Sequence, residues 1–212
     1  MKLSQFIALS LSLLAGYASA QDMAPAKLPT PKPGEAVATF AGGCFWAQEE
    51  AFDQLKGVRE VISGYAGGHT KNPTYREVGT DETGHAEAVQ VYYDPKVISY
   101  DDLLVGFFAA HDPTTLNRQG PDQGRDYRSV AFYRTPAEKA AIEAAIKTVN
   151  ASKHYNGTVV TEVVPFTVFY PAEGYHQNYC KLHPEQPYIQ SVSMPKVAKM
   201  RKAMAGKLKS GV

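Results

Sequence analysis

Five short runs of alternating apolar and polar residues are interleaved with segments of helical periodicity, and this order of elements limits the fold more than any other feature of the chain. The alternating runs, 37–40, 58–65, 87–93, 129–134 and 158–169, send every second side chain to one face, as half-buried strands do. Helical spacing marks 44–55, then 100–110 behind Ser99 as an N-cap. A third helix opens at Thr135-Pro136-Ala137-Glu138, with capping-box spacing and proline at its first position, and runs to about Val149. Strands and helices therefore mix without strict alternation. The expected fold class is α+β, a two-layer α/β sandwich with a mixed or antiparallel sheet covered by helices on one face. Residues 173–182 also read as a helix. In 195–209, Val197, Met200, Met204 and Leu208 share one face among lysines, the pattern of an amphipathic surface helix.

Residues 1–20 have a basic start, an apolar stretch from Phe6 to Ala15 and Ala18-Ser19-Ala20 as an A-x-A cleavage site. They read as a secretory signal peptide, so the protein is expected to be exported, to the periplasm or beyond, with cleavage near Ala20. Residues 21–35, carrying Pro25, Pro29, Pro31 and Pro33, read as a proline-rich extended leader, and 36–212 as a single catalytic domain. Without Lys2 the mature chain balances 21 basic against 21 acidic residues. A neutral chain without a basic stripe gives no support for nucleic-acid binding, and no apolar run is long enough for a membrane anchor. A monomer is expected.

Cys44 carries the chemistry. It stands in Gly43-Cys44-Phe45-Trp46, where a strand stops at two glycines and a helix begins. Unpaired N–H groups at a helix start favour a thiolate, so the thiol pKa is expected to fall and Cys44 to act as a nucleophile. Glu87 shares its strand phase with Val89, Val91 and Tyr93, on the apolar face, where a carboxyl resists ionisation and can donate a proton near neutral pH. The long polar loops, 64–84 and 112–128, offer Tyr75, Tyr127 and Asp122, and Tyr175 stands beside His176. Within the first loop, Gly64-Tyr65-Ala66-Gly67-Gly68-His69 reads as a turn, since it has neither phosphate-loop nor dinucleotide spacing. Cys180, with His176 and His183, follows i, i+4, i+7 spacing, but no fourth ligand is evident and no metal is expected. A structural disulfide between Cys44 and Cys180 and a redox pair remain alternatives.

Several motifs in order resemble the A-type peptide methionine sulfoxide reductases. They are Gly43-Cys44-Phe45-Trp46, Ser63-Gly64-Tyr65-Ala66-Gly67-Gly68, Asn72-Pro73-Thr74-Tyr75, Thr83-Gly84-His85-Ala86-Glu87-Ala88-Val89, His111-Asp112-Pro113-Thr114, Tyr127-Arg128-Ser129 and Tyr175-His176-Gln177. The resemblance covers approximately 37–188. It implies a ferredoxin-like plait and thiol-dependent, stereospecific reduction of methionine S-sulfoxide, free or in proteins, without metal or organic cofactor. It further implies Cys44 as nucleophile passing through a sulfenic acid, Glu87 as proton donor, and Tyr75 and Tyr127 as hydrogen-bond donors to the sulfoxide oxygen. Phe45 and Trp46 then enclose the substrate methyl group and Asp122 has a supporting role. Many relatives carry a resolving cysteine in a glycine-rich tail, whereas here the tail has none. Cys180 is the intramolecular candidate, with a thioredoxin-like protein or another external thiol as reductant. Two rivals predict differently: a Cys-His hydrolase needs a histidine base at Cys44, and a disulfide-stapled secreted binding module needs the two sulfurs bonded.

Overall fold

The computed structural model describes residues 23–212, so the signal-peptide reading lies outside the described residues. In chain order the elements are β1 (Ala36–Gly42), α1 (Phe45–Asp53), β2 (Val58–Ala66), α2 (Tyr75–Val78), β3 (Ala86–Tyr93), α3 (Tyr100–Ala110), β4 (Arg118–Gln119), β5 (Asp122–Gln123), β6 (Ser129–Tyr133), α4 (Pro136–Ser152), β7 (Glu162–Pro165), β8 (Phe169–Pro171), α5 (Tyr179–Leu182) and α6 (Met194–Ala203). Six strands form one mixed sheet in the order β7-β6-β1-β3-β2-β8, and β4 with β5 makes a small separate hairpin. Only the β6–β7 pair is parallel.

Strand alternation decides which side chains meet the helices. On β1, Ala38 and Phe40 enter the larger core with Val89, Val91 and Tyr93 of β3, while Ala41, Ala86, Ala88 and Tyr92 face the other side. Phe40 stacks at 5.5 Å on Phe52 of α1 and at 5.0 Å on Phe107 of α3, tying both helices to the sheet. A side-chain capping box starts α3: Ser99 accepts from the Asp102 N–H and Asp102 returns the bond to Ser99. Thr135 caps α4 in the same way, but the Glu138 carboxylate takes the Arg134 N–H, so that box is only half closed.

Three expectations change. The run 158–169 is two strands on opposite edges of the sheet: β7 pairs with β6, and the chain then crosses to lay β8 against β2. Residues 64–66 extend β2 rather than forming a turn, because Gly64 lets the backbone of Tyr170 come close; a β-carbon there would sit 2.3 Å from its carbonyl oxygen. The segment 173–182 is not one helix. A single 3₁₀ turn, Gly174–His176, gives way to extended Gln177, then to Asn178 in the left-handed region (φ 56°), before the one turn of α5.

The second face of the sheet carries no helix. It is covered by Val164, Phe166 and Phe169 and by Leu28 of the proline-rich leader, which runs along the domain and pairs Ala26 N–H with Ala172 O at 2.9 Å. The tail segment buries Val197 and Met200 of α6 and then Met204 among α1 and α3. Leu208 closes it in a bridge to Leu55.

Candidate active site

The site forms where β1 ends. Gly43 turns the chain in the left-handed region (φ +83°), and a β-carbon there would lie 2.4 Å from Gln119 Cγ, so glycine is required both for the turn and for the close approach. Cys44 follows at the N-cap of α1, 5 % exposed, with its side chain making no capping bond. The first helical N–H, that of Phe45, does not reach the sulfur: it donates to Glu87 Oε2 at 3.0 Å.

This corrects the expectation for the thiol. Burial pushes Cys44 well above the ordinary thiol value and the neighbouring Glu87 pushes it the same way. The Trp46 N–H, the Tyr188 hydroxyl and the Lys196 charge oppose them and are outweighed. Glu87 itself, 2 % exposed on the helix-facing side of β3, is pushed to about 8, chiefly by burial. The resting site therefore holds two neutral acids at neutral pH, a thiol and a carboxylic acid, beside each other. Oε2 of Glu87 is occupied as an acceptor, and Oε1 makes no protein hydrogen bond among the described residues.

The two polar loops deliver the tyrosines. Thr74 caps α2 with a closed capping box, which fixes Tyr75 at its first position, and the Tyr75 N–H is held by Glu173 Oε1 at 3.0 Å. Tyr127 ends the 3₁₀ turn Arg125–Tyr127. Burial raises both phenols, and Glu87 and Cys44 each raise both further, so the two rings lie within electrostatic reach of the acid and the sulfur. Tyr175 neighbours His176, with ring centroids 4.0 Å apart.

Aromatic rings form the wall. Phe45 is 1 % exposed and packs on Tyr65 at 6.0 Å, Tyr75 at 6.5 Å and His176 at 5.0 Å. Trp46 stacks on Tyr179 at 3.9 Å, meets Tyr188 edge-on, and donates its indole N–H to His176 Nδ1 at 3.2 Å. That bond makes Nδ1 an acceptor and places the imidazole proton on Nε2. His176 is buried and pushed down to about 4, so it stays neutral.

Asp122 is drawn into the site by β5. It accepts from Tyr188 Oη at 2.7 Å and lies 3.7 Å from Lys196 Nζ. Cys180 is buried, its thiol pushed up to about 12 by burial, and it donates to the carbonyl of Trp46 at 3.3 Å. The backbone of Trp46 therefore meets both thiols, its N–H toward Cys44 and its C=O toward Cys180. Both cysteines are free thiols. No histidine hydrogen-bonds Cys44 among the described residues, and the break at Asn178 removes the shared helical face of His176, Cys180 and His183.

Three contributors are absent from the sequence reading. Tyr188, Lys196 and Glu173 come from the last forty residues, where the sequence reading found candidates in Tyr175, His176, Cys180 and His183 but none in these three. No local spacing signals them. Lys196 in particular lies on the buried side of α6, its side chain 12 % exposed, rather than on a solvated surface.

The sequence model of the family described as Peptide methionine sulfoxide reductase matches residues 36–208. The chain belongs to this family. It is 51 % identical over 175 residues to the peptide methionine sulfoxide reductase MsrA of Thermus thermophilus, covering 82 % of this chain and 98 % of that one. Identity to the MsrA of Natronomonas pharaonis is 49 % over the same length, with the same coverage. Two solved structures are similar: the reduced form of Mxr1 from Saccharomyces cerevisiae (TM-score 0.68, 32 % identity, 74 % of this chain and 91 % of that one) and methionine sulfoxide reductase A of Corynebacterium diphtheriae (TM-score 0.66, 32 % identity, 80 % and 92 %). The chain is thus an oxidoreductase, a peptide-methionine (S)-S-oxide reductase.

Proposed function

We propose that Cys44 performs this reduction as the nucleophile, with Glu87 as its proton donor. The observation that carries the assignment is the 3.0 Å bond from the Phe45 N–H to Glu87 Oε2, which fixes a buried, protonated carboxyl at the helix start where the sulfur emerges. The Cys44 thiol gives its proton to the carboxylate left once Glu87 has protonated the sulfoxide oxygen, and the thiolate attacks the sulfoxide sulfur. The bond from oxygen to the methionine sulfur breaks, and the oxygen ends on Cys44 as a sulfenic acid. Two electrons pass from the cysteine sulfur to the methionine sulfur. Tyr75 and Tyr127 donate hydrogen bonds to the oxygen while charge builds on it. Phe45 and Trp46 take the methyl group, and the rigid stack of Trp46 on Tyr179 fixes which face of the chiral sulfur meets Cys44. Asp122 holds Tyr188 in place.

For regeneration, Cys180 attacks the Cys44 sulfenic acid, releasing water and forming a disulfide, which a thioredoxin-like dithiol then reduces. In support, both sulfurs contact the backbone of one residue, Trp46. The signal-peptide pattern of residues 1–20 favours action outside the cytoplasm on oxidised exported proteins. In the sheet, β6-β1-β3-β2 are mutually antiparallel, with α1 between β1 and β2 and α3 between β3 and β6, which favours the reading of a ferredoxin-like plait. With racemic methionine sulfoxide and dithiothreitol, one epimer is consumed and Cys44→Ser abolishes turnover. Residual turnover in Cys44→Ser would remove Cys44 from its role. A thiol count after one equivalent of sulfoxide without reductant tests Cys180: loss of both thiols supports the pair, and a retained Cys180 leaves regeneration to an external thiol.

A further inference from the structure

Lys196 occupies a place that costs stability. It projects from a helical stretch that runs unbroken from the π-helical turn Ile189–Ser193 into α6, and its side-chain nitrogen is buried. Among the described residues, none of its three N–H groups has an acceptor within hydrogen-bond distance. The nearest carboxylate oxygen, Asp122 Oδ2, is 3.7 Å away and already takes the Tyr188 hydroxyl at 2.7 Å. On its other side Nζ faces Gly43, the residue that leads into Cys44, where a β-carbon would stand 3.6 Å from it.

We propose that Lys196 is a positioning residue for the reaction, a fixed cation whose charge stabilises the anionic form of Cys44 in competition with Asp122. The inference rests on the reading of Cys44 as nucleophile and goes beyond it. Ionising a buried thiol beside a carboxyl is unfavourable unless a positive charge is close, and a compact ammonium with unused donors supplies one without taking part in proton transfer. The charged and titratable groups within its electrostatic reach are Cys44 at the start of α1, Glu87 on β3, Asp122 on β5 and His111 after α3. Of these, Glu87 is neutral below about 8 and His111 is pushed down to about 4, so the group that competes for Lys196 is the Asp122 carboxyl at 3.7 Å.

The test is the pH dependence of iodoacetamide labelling at Cys44 in the full-length protein, read by mass spectrometry on the Cys44 peptide, together with single-turnover sulfoxide reduction. Lys196→Met should raise the labelling midpoint by about one pH unit and slow reduction about tenfold at pH 7, with KM little changed. Lys196→Arg should retain the wild-type midpoint. Lys196→Gln keeps a polar head near Asp122 and is read where the methionine variant disturbs folding. An unshifted midpoint in a folded Met or Gln variant overturns the proposal, as does an equal loss of thermal stability in Met and Arg variants without any shift. If turnover instead survives Cys44→Ser, the nucleophile assignment fails, which the labelling midpoint does not report.

Discussion

At the scale of single residues the chemistry turns on Glu87. Its carboxyl is pushed from 4.5 to about 8 by burial, so the folded protein holds a proton there that the unfolded chain releases above about 4.5. Stability linked to Glu87 is fully present below pH 4.5 and is lost as pH rises toward 8. Glu87→Gln keeps the acceptor for the Phe45 N–H but has no proton to give, so sulfoxide reduction should fall by about 10² or more. Denaturant titrations of the same variant from pH 5 to 8 should show a flatter stability profile than wild type. A wild-type rate in Glu87→Gln would remove it as the donor. The place of Glu87 was legible because strand alternation alone puts it in phase with Val89 and Val91. The ionisation of Cys44 was not: a helix start suggests a depressed thiol, but burial outweighs the Trp46 N–H that reaches the sulfur, and the Phe45 N–H is spent on Glu87, a partner 42 positions away.

Among the elements, the segment from Gly174 to Leu182 shows what local periodicity misses. Apolar spacing there suits a helix, yet long-range partners break it. The Gln177 side chain imitates a strand, accepting from Ser63 N–H at 3.0 Å and donating to Ser63 O at 3.1 Å. The Asn178 N–H is taken by both oxygens of Glu49, at 2.9 and 3.0 Å, and Asn178 turns left-handed. Glu49 lies on α1, one turn beyond the cysteine, so the helix that presents Cys44 also sets the turn that presents Cys180. Asn178→Gly should leave stability within about 0.5 kcal/mol, since glycine adopts this conformation freely, whereas Asn178→Val should cost about 1–2 kcal/mol in urea denaturation. Equal stability of the two variants would show that the left-handed turn is not what holds α5. Helices α3 and α4 read correctly because their signals are local: the capping box before α3 and the proline at the start of α4 need no distant partner.

For the molecule as a whole, the leader is a brace on the sheet and on the site together. Glu35 grips the Arg59 guanidinium through both oxygens at 2.7 Å, Leu28 covers the helix-free face, and Gly174 N–H donates to Ala24 O at 2.9 Å. Pro25 bridges Glu173, the same residue whose carboxylate holds the Tyr75 N–H and accepts from Tyr65 Oη at 2.9 Å. A docked leader thus restrains the carboxylate that holds Tyr75, one of the two tyrosines proposed to bind the sulfoxide oxygen. Its prolines keep the loss of chain entropy on docking small, because their backbone is already extended in the free chain. Removing residues 21–35 should therefore lower the melting temperature by several degrees through lost apolar cover and the lost Glu35 ion pair. It should also reduce kcat for sulfoxide reduction beyond what Arg59→Ala does, since Arg59→Ala removes only the ion pair and leaves Pro25 and Ala24 on the Glu173 segment. Thermal melts and steady-state rates of the two variants side by side distinguish these contributions: equal kcat in both would confine the leader to stability and detach it from Tyr75.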